Sequence, residues 1–170
     1  MKFNKYKRAF FEELWSWFQF LFSWIPGRIG HFTRGFFLGL FFLKKGKMLE
    51  VKENVEIWNP RNLIVGNNCG IGRNNIINCV GNVSLGNDVR LGPNVMITTV
   101  NHTRISSGMK NKTRTIRNVK LGNNIWVGND VTILPGVEIG DNCVIAAGAV
   151  VTKSFPCNSV IAGIPGKKIN

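Results

Sequence analysis

A chain of 170 residues is long enough to bury one core without disulfide or metal staples and too short for two ordinary domains. Its net charge is +13, and both the first fifty residues (nine Lys/Arg against three Glu) and the remainder (thirteen against six) are basic, so anionic partners such as phosphates, acidic sugars or acidic lipid are expected and a nucleic-acid partner is not. The four cysteines (Cys69, Cys79, Cys143, Cys157) form no CxxC pair, which argues against a zinc site or disulfide framework and for buried thiols in a reducing, cytoplasmic compartment.

Fifteen of the eighteen Phe, Trp and Tyr residues precede residue 51, which sets a composition boundary near Met48 to Val51 and divides the chain into residues 1–50 and 51–170. The opening "MKFNKYKRAFFEELWSWFQFLFSWIPG" has a basic start and an apolar stretch. Glu12 and Glu13, the bulky aromatics and the lack of a small-residue cleavage site argue against a secretory signal. Between Leu14 and Ile25 the polar residues Ser16, Gln19 and Ser23 recur at helical spacing and define one narrow polar face; Pro26-Gly27 ends that helix. Arg28, His31 and Arg34 share a helical spacing before a second apolar run from Phe36 to Leu43, and His31 reads as a packing or interfacial residue. Neither segment has the roughly 18–20 uninterrupted apolar residues of a membrane span. Two roles stay open for them. They cap the rest of the protein or its symmetry mates, or residues 1–47 make peripheral contact with the inner face of a membrane through Lys2, Lys5, Lys7, Arg8, Lys44, Lys45 and Lys47.

From Val65 an aliphatic residue opens every sixth position in three blocks: Val65, Ile71, Ile77; Leu85, Leu91, Ile97; and Leu121, Val127, Ile133, Ile139, Ile145, Val151. The fourth place of each hexad is mostly Asn, Asp or Gly (Asn68, Asn74, Asp88, Asn94, Asn124, Asp130, Gly136, Asn142, Gly148), the types that tolerate positive φ, and the fifth is mostly small or apolar. An inward aliphatic, a corner and an inward small residue make one short strand and one bend. Three such units close a triangular coil of about eighteen residues. A helix cannot hold this pattern, because a period of six drifts around a 3.6-residue turn.

The run "LGNNIWVGNDVTILPGVEIGDNCVIAAGAVVTKSFPCNSVIAGIPGKKI" resembles the C-terminal half of hexapeptide-repeat acyltransferases, the galactoside, maltose, xenobiotic and polysaccharide O-acetyltransferases. The resemblance covers about residues 51–169. It implies an all-β solenoid, a left-handed parallel β-helix that departs from the usual right-handed crossover, here with an N-terminal aromatic helical extension. It also implies acetyl-CoA as co-substrate, no metal, and a homotrimer with sites between subunits.

After Ile97 the hexads stop, and an inserted loop over 101–120 precedes their return at Leu121. Such an excursion is usually functional, because the coils alone offer flat, self-similar faces. His102 stands at its base. Acetylating a sugar hydroxyl needs a general base, and imidazole can take that proton near neutral pH. The resemblance makes His102 the catalytic histidine, acting in a ternary complex without an acyl-enzyme. It further implies that Trp126 lies along the pantetheine arm, that the Asn129 backbone N–H faces the thioester carbonyl, that Ala147 and Thr152 contact the cofactor, and that Lys167, with Lys168, meets the nucleotide phosphates. Asn78 is the candidate acceptor-orienting residue. Arg104, Lys110, Lys112, Arg114 and Arg117 form a basic rim suited to acidic sugars, nucleotide sugars or a diphosphate lipid carrier. Two departures from the family pattern, Asn118 for a frequent proline and Gly166 for alanine or cysteine, bear on loop closure and on the path of the tail.

The function expected is O-acetyl transfer from acetyl-CoA to a sugar hydroxyl of a polysaccharide or of a lipid-linked or nucleotide-sugar precursor. A non-catalytic structural or binding β-helix and a serine acetyltransferase-like enzyme are the alternatives. The hexapeptide carbonic anhydrases need three histidines around zinc, and this chain has two.

Overall fold

The computed structural model describes residues 2–102 and 114–170, without the side chains of residues 2–5 and 8. Helices α1 (Lys2–Ser23) and α2 (Gly27–Gly39) precede the solenoid. The first coil is β1 (Lys44–Lys45), β2 (Glu50–Val51) and β3 (Glu56–Trp58); the second is β4 (Leu63–Val65), β5 (Gly70–Ile71) and β6 (Ile76–Asn78). The third is β7 (Val83–Leu85), β8 (Val89–Leu91) and β9 (Met96–Thr98), after which β10 (Val100–His102) and β11 (Arg114–Ile116) leave as a hairpin stem. The fourth is β12 (Val119–Leu121), β13 (Ile125–Val127) and β14 (Thr132–Ile133), and the fifth β15 (Glu138–Ile139), β16 (Val144–Ile145) and β17 (Val150–Val151). The chain finishes with β18 (Val160–Ala162) and β19 (Lys167–Lys168).

Parallel stacking of these strands makes three faces: face A (β1-β4-β7-β12-β15), face B (β2-β5-β8-β13-β16-β18, closed by antiparallel β19) and face C (β3-β6-β9-β14-β17). The solenoid starts at Lys44, ahead of the composition boundary. All nine fourth-place Asn, Asp and Gly residues have positive φ and turn the corners. The fifth-place residues Cys69, Val89, Val95, Ile125, Val131, Val137, Cys143 and Ala149 are buried beside the aliphatic columns, which run for example through Ile57, Ile77, Ile97, Ile133 and Val151. Burial pushes the Cys79 thiol up to about 12 and raises that of Cys69 as well, so both behave as apolar core groups.

Coil length differs from the uniform eighteen expected. Equivalent corner residues are 20 apart in the early coils (Asn68 to Asp88) and 18 apart in the late ones (Asn124 to Asn142). The excess lies at the corner where face C hands over to face A. There Asn59 leads into a 3-10 turn at Pro60–Asn62, and residues 79–82 make the equivalent bend one coil on. At the corner from A to B a carboxamide ladder ties the coils together. The backbone N–H of Lys47, Asn67, Asn87 and Asn123 donates to the side chain of Asn67, Asn87, Asn123 and Asp141 respectively, at 2.6–2.9 Å.

Helix α2 covers the open N-terminal end of the core with Leu38, and the following Phe42 and Leu49 are buried with it. Gly35 permits this approach, because a Cβ there would stand 1.9 Å from the Leu49 carbonyl oxygen. Polar anchoring comes from Arg34, which is buried, donates to the carbonyls of Val51 (2.9 Å), Phe22 (3.1 Å) and Ile25 (2.8 Å), and faces Glu53 at 3.4 Å. Glu53 also accepts from His31 (3.0 Å) and Arg73 (2.8 Å), so His31 is a packing residue, as expected. Burial opposes ionisation of Glu53, but hydrogen bonds from Arg73, its own backbone and His31 outweigh it and hold the carboxyl down at about 2.

A carboxyl depressed by folding stabilises the protein above its unfolded value of about 4.3 and loses that contribution as pH falls toward the folded value. Denaturant midpoints of the wild type are therefore expected to drop between about pH 4.5 and 2. A Glu53→Gln chain is expected to start lower and show less of that acid dependence; an identical pH profile would remove the assignment.

Candidate active site

Asn78 and Thr98 end β6 and β9 in register with each other and with Trp58 of β3, at the corner from C to A. Thr99, fully buried, fixes this corner: its hydroxyl donates to the Asn78 carbonyl (2.8 Å) and accepts from the Gly81 N–H (2.9 Å). The two-residue excess of the early coils thus prepares the point of departure. From it β10 leaves and β11 returns antiparallel, pairing Val100 with Ile116, Asn101 with Thr115 and His102 with Arg114. The return is closed where the Arg117 N–H donates to the Thr99 carbonyl (2.9 Å) and the Asn118 side chain accepts from the Asn82 N–H (2.9 Å). Asn118 thereby performs the closure that the missing proline put in question. His102 is exposed at the outer end of the stem, with Arg114 directly across from it. Arg104, Lys110 and Lys112 lie outside the described residues; Arg114 is exposed at the outer end and Arg117 at the base.

A second group lies on face B and at the corner from B to C. Trp126 projects outward from β13, 63% exposed, between Arg90 of β8 and Val144 of β16. Lys167 and Lys168 occupy β19, three strand steps further along the same face, which is about 14 Å at the usual interstrand spacing. Asn129 and Ala147 stand at successive levels of the corner, where a Cβ on Gly128 would meet the Ala147 backbone at 2.6 Å. The corner from A to B gives each first-corner amide an Asn or Asp side chain from the next coil; above Asn129 that place is held by Ala147, which has no side-chain acceptor. Asn129 is exposed, and Ala147 offers its amide no ladder bond. Gly148 is a corner residue (φ +73°), and a Cβ there would meet no other atom of the chain. An exposed indole, an amide without a ladder bond and two lysines along one strip fit a long ligand with an amide-containing arm and a phosphate end.

The two groups are not adjacent in one chain. His102, Asn78 and also Thr152, which follows β17, belong to the corner from C to A, whereas Asn129 and Ala147 belong to the far end of face C, roughly 17 Å away at the strand rise. Both groups stand at similar heights, since β13 and the Asn129 corner form the coil that directly follows the hairpin.

The bacterial transferase hexapeptide family (six repeats) matches residues 118–153. The galactoside O-acetyltransferase of Escherichia coli (strain K12) is 38% identical over 133 residues, 75% of this chain and 66% of that protein. The "Putative colanic acid biosynthesis acetyltransferase WcaF" of the same organism is 30% identical over 145 residues, 85% of this chain and 78% of that protein. The chain belongs to the hexapeptide-repeat acetyltransferase family. It spans 66%, 42% and 44% of the length of three curated members that it matches. Among solved members of the family, a maltose O-acetyltransferase from Clostridium difficile 630 superposes with a TM-score of 0.84 at 33% identity, covering 93% of this chain and 84% of that one. A galactoside acetyltransferase in complex with coenzyme A gives 0.78 at 30% identity, covering 94% and 79%. In this member an exposed histidine stands on a hairpin at one corner, and an exposed tryptophan and two lysines lie along the face that ends at the next.

Proposed function

We propose that the protein is an acetyl-CoA-dependent O-acetyltransferase acting on a sugar hydroxyl of a polysaccharide or of its lipid-linked or nucleotide-sugar precursor. The observation that carries this reading is the His102 hairpin, which leaves the solenoid immediately before the coil carrying Trp126 and Asn129. The likeness to galactoside, maltose and colanic acid acetyltransferases supports the reaction class. When bound, acetyl-CoA supplies the activated acetyl thioester and departs as the thiol. His102 accepts the proton of the acceptor hydroxyl as the oxygen becomes nucleophilic, and can return it to the leaving sulfur. Asn78 orients the acceptor from the coil below. The Asn129 N–H is placed to stabilise negative charge developing on the carbonyl oxygen. Trp126 packs along the apolar arm, Ala147 offers its backbone, and Lys167 and Lys168 hold phosphate.

Because His102 and the strip lie at opposite ends of face C and at similar heights, rotation about an axis parallel to the solenoid would bring one copy's strip to another copy's hairpin. A homotrimer with sites between subunits follows as part of this reading, and it gives Thr152 a place beside a neighbour's ligand.

Calorimetric titration with coenzyme A tests the strip. Trp126→Ala and the double variant Lys167→Ala/Lys168→Ala are each expected to weaken binding roughly tenfold, with the lysine pair losing its effect at high salt. Unaltered affinity in both would reject the strip, and absence of sugar-dependent thiol release from acetyl-CoA by the wild type would reject the enzyme.

A further inference from the structure

Helix α1 sits with its polarity reversed for a water-facing helix. The polar stripe expected from Ser16, Gln19 and Ser23 is not its outer surface as a whole: Gln19 turns inward and its Oε1 accepts from the Ile57 N–H at 2.9 Å, while Trp15 Nε1–H donates to the Ile57 carbonyl at 2.5 Å. The side turned away from the protein carries Phe10, Trp17, Phe20 and Trp24, which are 62%, 60%, 65% and 73% exposed. Helix α2 and its extension add a second outward stripe through Ile29, Phe32, Phe36, Leu40 and Leu43 at helical spacing. Lys45 lies over the Phe36 ring and Arg61 over that of Phe11, and Arg28, Lys44 and Lys47 are exposed in or beside α2 and its extension, against Glu12 and Glu13. No described helix is long and apolar enough to cross a membrane. An apolar, aromatic face with a basic rim and no span matches an interfacial surface.

Beside α1 an apolar groove of about 720 Å³ opens between Phe11, Leu14, Trp15, Phe18 and Phe41 and the bend at Asn59–Asn62. That bend belongs to the same corner, from C to A, that carries Asn78 and releases the His102 hairpin, two coils or about 10 Å further along. We propose that α1 and α2 dock on an anionic bilayer surface and that the groove receives the hydrocarbon chain of a lipid-linked sugar, presenting its head to the hairpin. Delivery to the hairpin rests on the acetyl-transfer reading; docking and chain binding do not.

The full chain is expected to co-sediment with vesicles of phosphatidylcholine mixed with phosphatidylglycerol, and to do so at least tenfold less with vesicles of phosphatidylcholine alone. Phe10→Ser/Phe20→Ser/Trp24→Ser changes only exposed side chains outside the groove and is expected to lose vesicle binding by a similar factor, while keeping its oligomeric state and its turnover of a water-soluble sugar acceptor. Leu14→Glu, inside the groove, is expected to raise KM for a lipid-linked sugar in detergent and to leave KM for the same sugar without its lipid unchanged. Equal sedimentation of wild type and triple variant would overturn docking. Dissociation of the oligomer by the triple variant would overturn it too, by assigning the face to a second copy. An unchanged KM for the lipid-linked sugar would overturn the groove. Vesicle binding without acetyl transfer to any acceptor would leave the docking face standing and reject the enzyme reading alone.

Discussion

His102→Ala is expected to lower acetyl transfer to a sugar roughly 10²-fold or more in kcat, with little change in affinity for coenzyme A. The imidazole stands at the exposed end of β10, away from the core and from the strip of Trp126, so its removal leaves both untouched. The stem that positions it is held by the Thr99 and Asn118 bonds at the base, which the substitution does not reach. Loss confined to kcat is the signature of a group that acts in proton transfer, and a raised KM for coenzyme A with normal kcat would reassign His102 to binding. His102→Gln, which keeps hydrogen bonding but cannot act as a base near neutral pH, is expected to be as inactive as the alanine variant.

Arg34→Ala is expected to cost about 3 kcal/mol, which for a chain of this size lowers Tm by roughly 6–12 °C. Arg34 is only 2% exposed and connects three elements at once: carbonyls at the end of α1 and beyond it (Phe22, Ile25), the Val51 carbonyl of β2, and Glu53. Burial lowers its pKa, while the charge and hydrogen bond of Glu53 pull the other way, and a guanidinium stays charged in either case. Removing it leaves three carbonyls without their donor at once and takes one of three cationic or N–H partners from Glu53, which keeps Arg73 and His31, so the cost exceeds that of one hydrogen bond. Arg34→Lys restores charge but not the fork and is expected to recover less than half. A loss below about 1 kcal/mol in thermal unfolding would show that apolar packing and the Gln19, Trp15 and His31 bonds hold the two helices without Arg34.

The solenoid was legible because each inward side chain is tied to a fixed place in a short repeat. Asn68, Asp88 and Asn124 announce their corners by type, and the aliphatic residues that open each hexad announce the columns between them. The longer early coils were also written in the spacing, since eight residues rather than six separate Ile77 from Leu85, but a uniform period hid the fact that the surplus always falls at one corner. That corner is the one that later opens into the hairpin. The helices were less legible, because aromatics occupy nearly every side of α1 and periodicity alone cannot say which faces inward. What decides is a backbone need at the edge of face C, the Ile57 amide and carbonyl, which draws Gln19 and Trp15 toward the solenoid.

Among the candidate site residues, His102 and Asn78 were readable from the interruption of the repeat, and the structure puts both at one corner. The amide of Asn129 was named only through the family resemblance, and its place below Ala147 was not readable, since that is a relation between coils eighteen residues apart. Division of the candidates between two corners of one chain was equally hidden, because a linear motif does not say which face a residue ends on.

The acetylated product is the most direct readout of the proposed reaction. Mass spectrometry of free, nucleotide-linked and lipid-linked sugars after incubation with acetyl-CoA and the wild-type chain should find one acceptor class gaining a single alkali-labile acetyl ester, and the His102→Ala chain should yield almost none. Absence of any acetylated sugar in all three classes, or equal product from the His102→Ala chain, would contradict it.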